Sequence, residues 1–344
     1  MMKKGNNLSQ GKEFVARDFL VRYGFILVTL ISFVSFFATQ DTFRLSTTFF
    51  SMLKYTSVVA ITGLGIMLSM AVGGLDLSVG ATAGMAVTLS AMTMVVYNKP
   101  AIVAVALVLV AGILIGCLNA FLIVVLKIPD LLATLASMFA IMGLKLVPVN
   151  GRSVSSGMMM ENGSTAPGKF TDAFLKIDSG QLGPIPYAVI LWMLLTIACW
   201  LFLTRTTWGR AMYAVGSNPE ASLLAGINVK LYRSLAYILS AFLASISGLI
   251  LASRIGQGDI SAGNSLLLDS VAVALVGTSV LAMGKPNAWG TALGAFLMGV
   301  VITGLTIAGF PYYGQDVVKG AVLLLALVFS FTLSRKKSRF ISAV

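Results

Sequence analysis

"AVGGLDLSVGATAGMA", residues 71–86, places a single carboxylate, Asp76, between the glycine pair Gly73-Gly74 and the looser pair Gly80 and Gly84. The sequence on either side is apolar enough for hydrocarbon, where a charged side chain costs at least about 2.5–3.5 kcal/mol on insertion scales. A chain that keeps such a residue must supply it with partners. The glycines indicate a broken helix whose backbone polar groups are open beside the carboxylate. Irregular backbone at membrane depth is tolerated where it is buried in protein or lines a cavity. Asp76 is therefore expected to accept backbone N–H bonds at a helix start. Together with Gly73, Gly74 and Ser78 it is expected to border a pathway.

Composition extends this reading to the rest of the chain. Of 344 residues, 58% are hydrophobic and 10% charged, and the mean hydropathy is +0.94. A soluble domain carries about 25% charged residues. Ten apolar segments lie near 20–39, 50–72, 77–96, 101–126, 131–149, 187–204, 231–253, 266–284, 288–309 and 314–333. Runs of about 20 apolar residues are long enough to cross a bilayer as helices. The expected fold is an all-α polytopic membrane protein with about ten transmembrane helices.

Charge orients these segments. With ten crossings both termini share a side, and 15 of the 24 Lys and Arg then fall on it, among them Arg205, Arg210, Lys230 and Arg233. Such residues collect on cytoplasmic flanks, which accounts for the net charge of +12 without nucleic acid as a partner. Membrane lipid is the expected surround. Residues 1–19 read as a cytoplasmic N-terminal tail rather than a signal peptide. Residues 20–335 form the transmembrane domain and 336–344 a cytoplasmic C-terminal tail.

A Gly-, Ser- and Pro-rich external loop, 150–186, divides the chain into two five-helix halves that run in opposite directions. "GLDLSVG" and "LLLDSVA" each place an aspartate, Asp76 and Asp269, just before an apolar helix of small residues. That pattern suggests an inverted repeat. In "FPYYGQDVVKG", Asp316 and Lys319 are three apart and are expected to pair near the outer end. Tyr312 and Tyr313 in the same stretch suit an interfacial belt. Gly80 and Gly84, Gly112 and Gly116, and Gly290 and Gly294 are spaced for close helix approach.

Several chemistries are excluded. The chain has no His and two cysteines, Cys117 and Cys199, both inside apolar runs, so no zinc spacing or thiol–imidazole pair is available. No metal site or catalytic residue is expected. No GxxxxGK[ST] phosphate loop occurs, so the chain cannot be its own ATPase of that type.

The connecting loop 205–230 holds a short, well-marked helix. Asn218 can cap it, Pro219 suits the first helical position, Glu220 favours the positive end of the dipole, and Gly226 can take a left-handed closing position. A helix over about 219–225 is roughly 10 Å long, too short to span a bilayer. It either rests on headgroups or presents a knob to a cytoplasmic partner.

Three blocks, in order, carry a family resemblance: "GGLDLSVG", "TTWGRAMYAVGSNPEASLLAGINV" and "LLLDSVAVALVGTSV". The chain resembles permease subunits of ATP-binding-cassette importers of the ribose and monosaccharide class, which includes importers of autoinducer-2, over about residues 20–335. The resemblance implies a non-catalytic, multi-pass subunit of a bacterial cytoplasmic (inner) membrane. Its implied partners are a second permease subunit, cytoplasmic ATPase subunits that bind ATP and Mg, and an extracytoplasmic substrate-binding protein. It makes 217–226 a coupling helix, with Gly216, Ser217, Asn218, Pro219, Glu220, Ala221 and Gly226 at the ATPase contact. Gly73, Gly74, Asp76, Ser78 and Asp269 become pathway or gate residues. The chain departs from the family at Val276-Gly277, where many members have two glycines, and at "MGKPNAWG", where Lys285-Pro286 stiffens a glycine-rich turn. An ion-gradient-driven secondary transporter would also use broken helices and buried acids, but needs no capped knob for a motor.

Overall fold

The computed structural model describes residues 23–160, 162–280 and 285–341, with side chains to Leu325 and at Val328. The tail 1–19, with its basic residues, and the end of the tail 336–344 lie outside the described residues or their side chains. The chain runs as α1 (Tyr23–Thr39), α2 (Ser46–Ala71), α3 (Val79–Ala91), α4 (Ala101–Ala120) and α5 (Asp130–Leu144). Then come a short α6 (Asp172–Ser179) and the two-residue strands β1 (Gln181–Leu182) and β2 (Ile185–Pro186), paired antiparallel. α7 (Tyr187–Arg205), α8 (Thr207–Ser217), α9 (Pro219–Leu224), α10 (Val229–Ile255), α11 (Leu266–Ser279), α12 (Ala288–Ile307) and α13 (Tyr312–Ile341) follow.

Each of the ten apolar segments falls on a helix. Seven of these helical segments, among the described residues, are long and apolar enough to cross a membrane: α2, α3 and α4 each with its π-helical extension, α5 with the turn that follows it, α7, α10 and α12. α1 and α11 are apolar but shorter. α11 ends at Ser279, short of the expected 284, because the chain leaves helical geometry at Val280.

α10 is the hub, packed on α2, α3 and α4. Its approach to α4 depends on two glycines of that helix. A Cβ at Gly116 would stand 2.6 Å from the Ile238 backbone, and one at Gly112 would meet the Ser245 side chain. Small-residue faces of this kind let membrane helices approach closely where no water remains to be expelled. The inner face also carries hydroxyls, which hold the helices by short bonds such as Thr62 Oγ1 to Ser247 Oγ at 2.6 Å.

The segment 150–186 is more ordered than its Gly- and Pro-rich composition suggests. Thr171 caps α6 by accepting from the Phe174 N–H, and Phe174 is buried. The same helix delivers Asp178, 2% exposed, to a cation of α2 and one of α10: Lys54 Nζ at 2.7 Å and Arg254 at 3.0 Å. Arg254 also donates to the Lys54 carbonyl. One carboxylate thus joins the segment to α2 and α10.

Removing that carboxylate tests the join. Asp178→Ala leaves two facing cations without a counter-charge, a loss of about 2 kcal/mol once the partial exposure of Lys54 and Arg254 is discounted. The thermal midpoint of the purified protein in detergent is expected to fall by several degrees. Asp41→Ala, which breaks the exposed Arg44–Asp41 pair, is expected to leave it in place.

Candidate functional site

The break between α2 and α3 is an irregular connector. Gly73 turns the chain at φ +80°, and the N–H groups of Gly73 and Gly74 still bond back to Met70 and Ser69. From there the backbone runs without helical hydrogen bonds to Ser78. Asp76 is 0% exposed. Its N–H donates to Ser69 Oγ at 3.1 Å, and its Oδ1 accepts from the Ser78 N–H at 2.9 Å and the Ser78 hydroxyl at 2.6 Å. Asn119 of α4 donates to that hydroxyl at 2.8 Å, and Thr134 of α5 donates to the Leu75 carbonyl. The expected backbone pairing of Asp76 is thus one N–H bond reinforced by a hydroxyl. Charge-assisted bonds of this kind are roughly twice as strong as neutral ones.

The network is not fully satisfied. Asp76 Oδ2, Asn119 Oδ1, Tyr237 OH and Ser240 Oγ are buried without a hydrogen-bond partner among the described residues. A buried unsatisfied group costs about 1–3 kcal/mol. The connector therefore holds a polar pocket inside an apolar bundle.

The capped helix lies where the residue pattern puts it. Asn218 Oδ1 accepts from the Ala221 N–H at 3.0 Å, Pro219 opens α9 and Gly226 has φ +79°. Thr206 and Asn228 cap α8 and α10 in the same way. Leu223 and Leu224 are 66% and 91% exposed, so α9 holds two apolar side chains outward. Tyr213 of α8 donates to the Pro286 carbonyl at 2.6 Å. Burial pushes its phenol up to about 12. The bond therefore persists until pH approaches 12, while the stability it lends the fold declines as pH rises from about 10 towards 12.

Loop and connector touch backbone to backbone. A Cβ on Gly73 would stand 3.3 Å from the Gly216 carbonyl, and one on Gly216 would run into the Ala71 carbonyl. Glycine at both positions is what permits this approach. An ion pair fastens the same corner: Arg233, in the second turn of α10, donates to both oxygens of Asp130 at 2.6 and 2.8 Å. The Asp130 carboxylate and the Tyr237 hydroxyl flank the Cα of Gly74. Neither Asp130 nor Arg233 belongs to the expected site. The available signal was a cation and an anion each beginning an apolar helix, which leaves both in want of a partner.

Asp269 does not occupy a position equivalent to Asp76. It lies inside the first turn of α11, not ahead of the helix, because the Ser265 region already has helical backbone. It pairs with Lys319 at 3.2 Å, and Asp316 is a second, longer partner of the same ammonium at 3.6 Å. Of the expected pathway residues, Gly73, Gly74, Asp76 and Ser78 come together, and Asp269 joins a separate cluster with α13. Tyr312 and Tyr313 are exposed.

A connector locked to a capped loop lies at one end of a bundle of apolar, membrane-length helices. A family model described as "Branched-chain amino acid transport system / permease component" matches residues 48–327, which include connector, loop and hub, and the chain belongs to that family. It is 30% identical over 318 residues to the ribose import permease protein RbsC of Escherichia coli strain K12, covering 92% of this chain and 96% of that one. The ribose import permease protein RbsC of Haemophilus influenzae is 30% identical over 314 residues, covering 91% and 92%. The xylose transport system permease protein XylH of E. coli strain K12 is 29% identical over 352 residues, covering 88% and 90%.

The Asp130–Arg233 pair can be tested without transport. Asp130→Ala strands a partly buried guanidinium, and the melting temperature in detergent is expected to drop. Exchanging the charges, Asp130→Arg with Arg233→Asp, is expected to recover part of the loss. Recovery stays incomplete because an arginine at the start of α5 opposes the helix dipole. A drop in the single variant with no recovery in the exchange would mean the pair does not act as a pair.

Proposed function

We propose that the chain is the non-catalytic, membrane-spanning permease subunit of an ATP-driven importer. Its cargo is a monosaccharide or related small polyol of the ribose, xylose or autoinducer-2 kind. The observation that carries this is the end-to-end similarity to ribose and xylose permeases, with at least 88% of this chain covered. In this reading the ten helical segments all cross the inner membrane as two inverted five-helix halves, with both termini and the 205–230 loop cytoplasmic. ATP and Mg bind to separate ATPase subunits, a binding protein delivers cargo outside, and a second permease, identical or homologous, completes the pathway.

The mechanism follows from the corner geometry. The α9 knob, with Leu223 and Leu224 outward and Gly216, Ser217, Asn218, Pro219, Glu220, Ala221 and Gly226 setting its shape, seats in a cleft of the ATPase. When nucleotide draws the ATPase subunits together, the loop moves as a capped, rigid piece. Gly216 pushes on Gly73, and Arg233 carries Asp130 with it. The connector 72–78 then shifts relative to α4 and α10, and Asp76 and Ser78 move with it as the gate. Backbone contact transmits displacement better than two flexible side chains, which would absorb it as rotamer changes.

The reading is tested by uptake and by docking. Membrane vesicles from cells that make the intact importer are expected to accumulate labelled ribose, xylose or autoinducer-2 in an ATP-dependent manner. Gly226→Val forces a β-branched residue into positive φ, and Glu220→Lys opposes the α9 dipole. Both variants are expected to reach the membrane, bind the ATPase subunit weakly and transport poorly. Normal co-purification with normal uptake in both would remove the docking role, and dependence on an ion gradient in place of ATP would remove the importer.

A further inference from the structure

The chain shows two kinds of outward surface. On α4 the outward positions Ile102, Leu107, Val110, Leu114 and Leu118 are apolar and exposed, as hydrocarbon requires. On the first half of α2 the outward positions four apart are Thr47, Ser51 and Tyr55. They line a cavity of about 500 Å³ with Thr303 and Thr306 of α12 and Gln315 of α13. That volume lies within the range of about 300–1,000 Å³ usual for small-molecule sites.

The polar groups of this groove are unspent. Thr47, Ser51, Tyr55 and Thr303 make no side-chain hydrogen bond among the described residues, and the Gln315 amide uses only its N–H, to the Phe310 carbonyl. Tyr55, the tenth residue of α2, stands about 13 Å along the helix from its start, so the groove reaches from the end of the bundle to membrane depth. Unpartnered hydroxyls at that depth cost several kcal/mol in hydrocarbon. The α2–α12–α13 face therefore does not meet lipid.

The chemistry of the lining selects among occupants. Hydroxyl and amide groups both donate and accept, and the Tyr55 ring adds an apolar face. No charged side chain lines the cavity. The nearby charges that act on Tyr55 are each in an ion pair: Asp269 and Asp316 with Lys319, and Arg254 with Asp178. Asp269 Oδ1 is buried and lacks a hydrogen-bond partner among the described residues. Met52, Ile302 and Ile307 complete the lining, and this mix of hydroxyls, an amide, an aromatic ring and aliphatic groups without a cation matches the hydroxyls and C–H faces of a neutral polyol better than an anion.

We infer that the groove between α2, α12 and α13 is the outer polyol subsite of the pathway, with Thr47, Ser51, Tyr55, Thr303 and Gln315 as its contacts. This inference rests on the importer reading above. Cargo released at the outer end would exchange its hydration for these hydroxyls before reaching the Asp269–Lys319 pair.

The test uses right-side-out vesicles of cells making the intact importer, in a background without Cys117 and Cys199. Ser51→Cys and Thr303→Cys are expected to react with an impermeant cationic thiosulfonate added outside, and Leu107→Cys of α4 is not. Saturating D-ribose or D-xylose, whichever is taken up, is expected to slow the Ser51→Cys reaction several-fold. In the native-cysteine chain, Ser51→Ala with Thr303→Val is expected to raise the half-saturating sugar concentration about five- to tenfold, the loss of one or two hydrogen bonds. The amount of permease in the membrane is expected to stay unchanged. Ser51→Cys as inert as Leu107→Cys would overturn the groove as an aqueous site. Reactivity without sugar protection, with unchanged uptake constants in the double variant, would overturn the polyol subsite while the importer stands. Uptake of no polyol by the wild-type vesicles would overturn both.

Discussion

A carboxylate with no exposed surface, held in irregular backbone between two membrane-grade helices, is the constraint from which the rest follows. Asp76 cannot be left alone in hydrocarbon, and the chain surrounds it with Ser69, Ser78 and, through Ser78, Asn119. These partners come from α2, the connector and α4. The Asp76 backbone N–H ties the connector to α2 through Ser69, and its carboxylate holds Ser78, which Asn119 joins to α4. α10 closes the group by bringing Tyr237 and Ser240 alongside it. Four polar atoms there lack a hydrogen-bond partner among the described residues, so the connector borders a polar pocket inside an apolar bundle.

In the proposed importer the connector takes its mechanical role from its neighbour. Gly73 and Gly216 are 143 residues apart in sequence, yet their backbones touch with no side chain between them. Arg233 and Asp130 fasten the adjacent corner, and Tyr213 ties α8 to the turn before α12. Two attachments thus join the capped loop to the bundle, at the connector and at the turn before α12, and a third joins the start of α10 to α5. Each lies at a helix end, where a small displacement moves a whole rod.

Much of this was legible in the sequence, for reasons that differ by element. The membrane class and the positions of the ten apolar segments follow from hydropathy, which acts locally. The α9 helix was legible to within a residue because Asn218, Pro219 and Gly226 act on their own backbone. The connector was legible because Gly73 and Asp76 are costly where they stand. The ion pairs were not, since Asp130 with Arg233, and Asp178 with Lys54 and Arg254, are separated by 76 to 124 residues. Only packing chooses among the possible partners. The pairing of Asp269 was hidden for a related reason: its likeness to Asp76 lay in neighbouring letters, while its partner Lys319 is 50 residues away. The order in 150–186 escaped notice because composition does not record that Phe174 finds a core.

The central claim is that the charge of Asp76 orders a connector that must move for transport. It is tested most directly by uptake normalised to assembled complex in two variants. Asp76→Asn keeps the size and some hydrogen bonding without the charge, and Asp76→Leu accepts no N–H at all. The account predicts near-wild-type membrane levels and ATPase binding for the Asn variant, with uptake strongly reduced. It predicts a greater loss for the Leu variant. Wild-type uptake per assembled complex in the Asn variant would contradict the need for a charge, and wild-type uptake in the Leu variant would leave the connector without the role assigned to it.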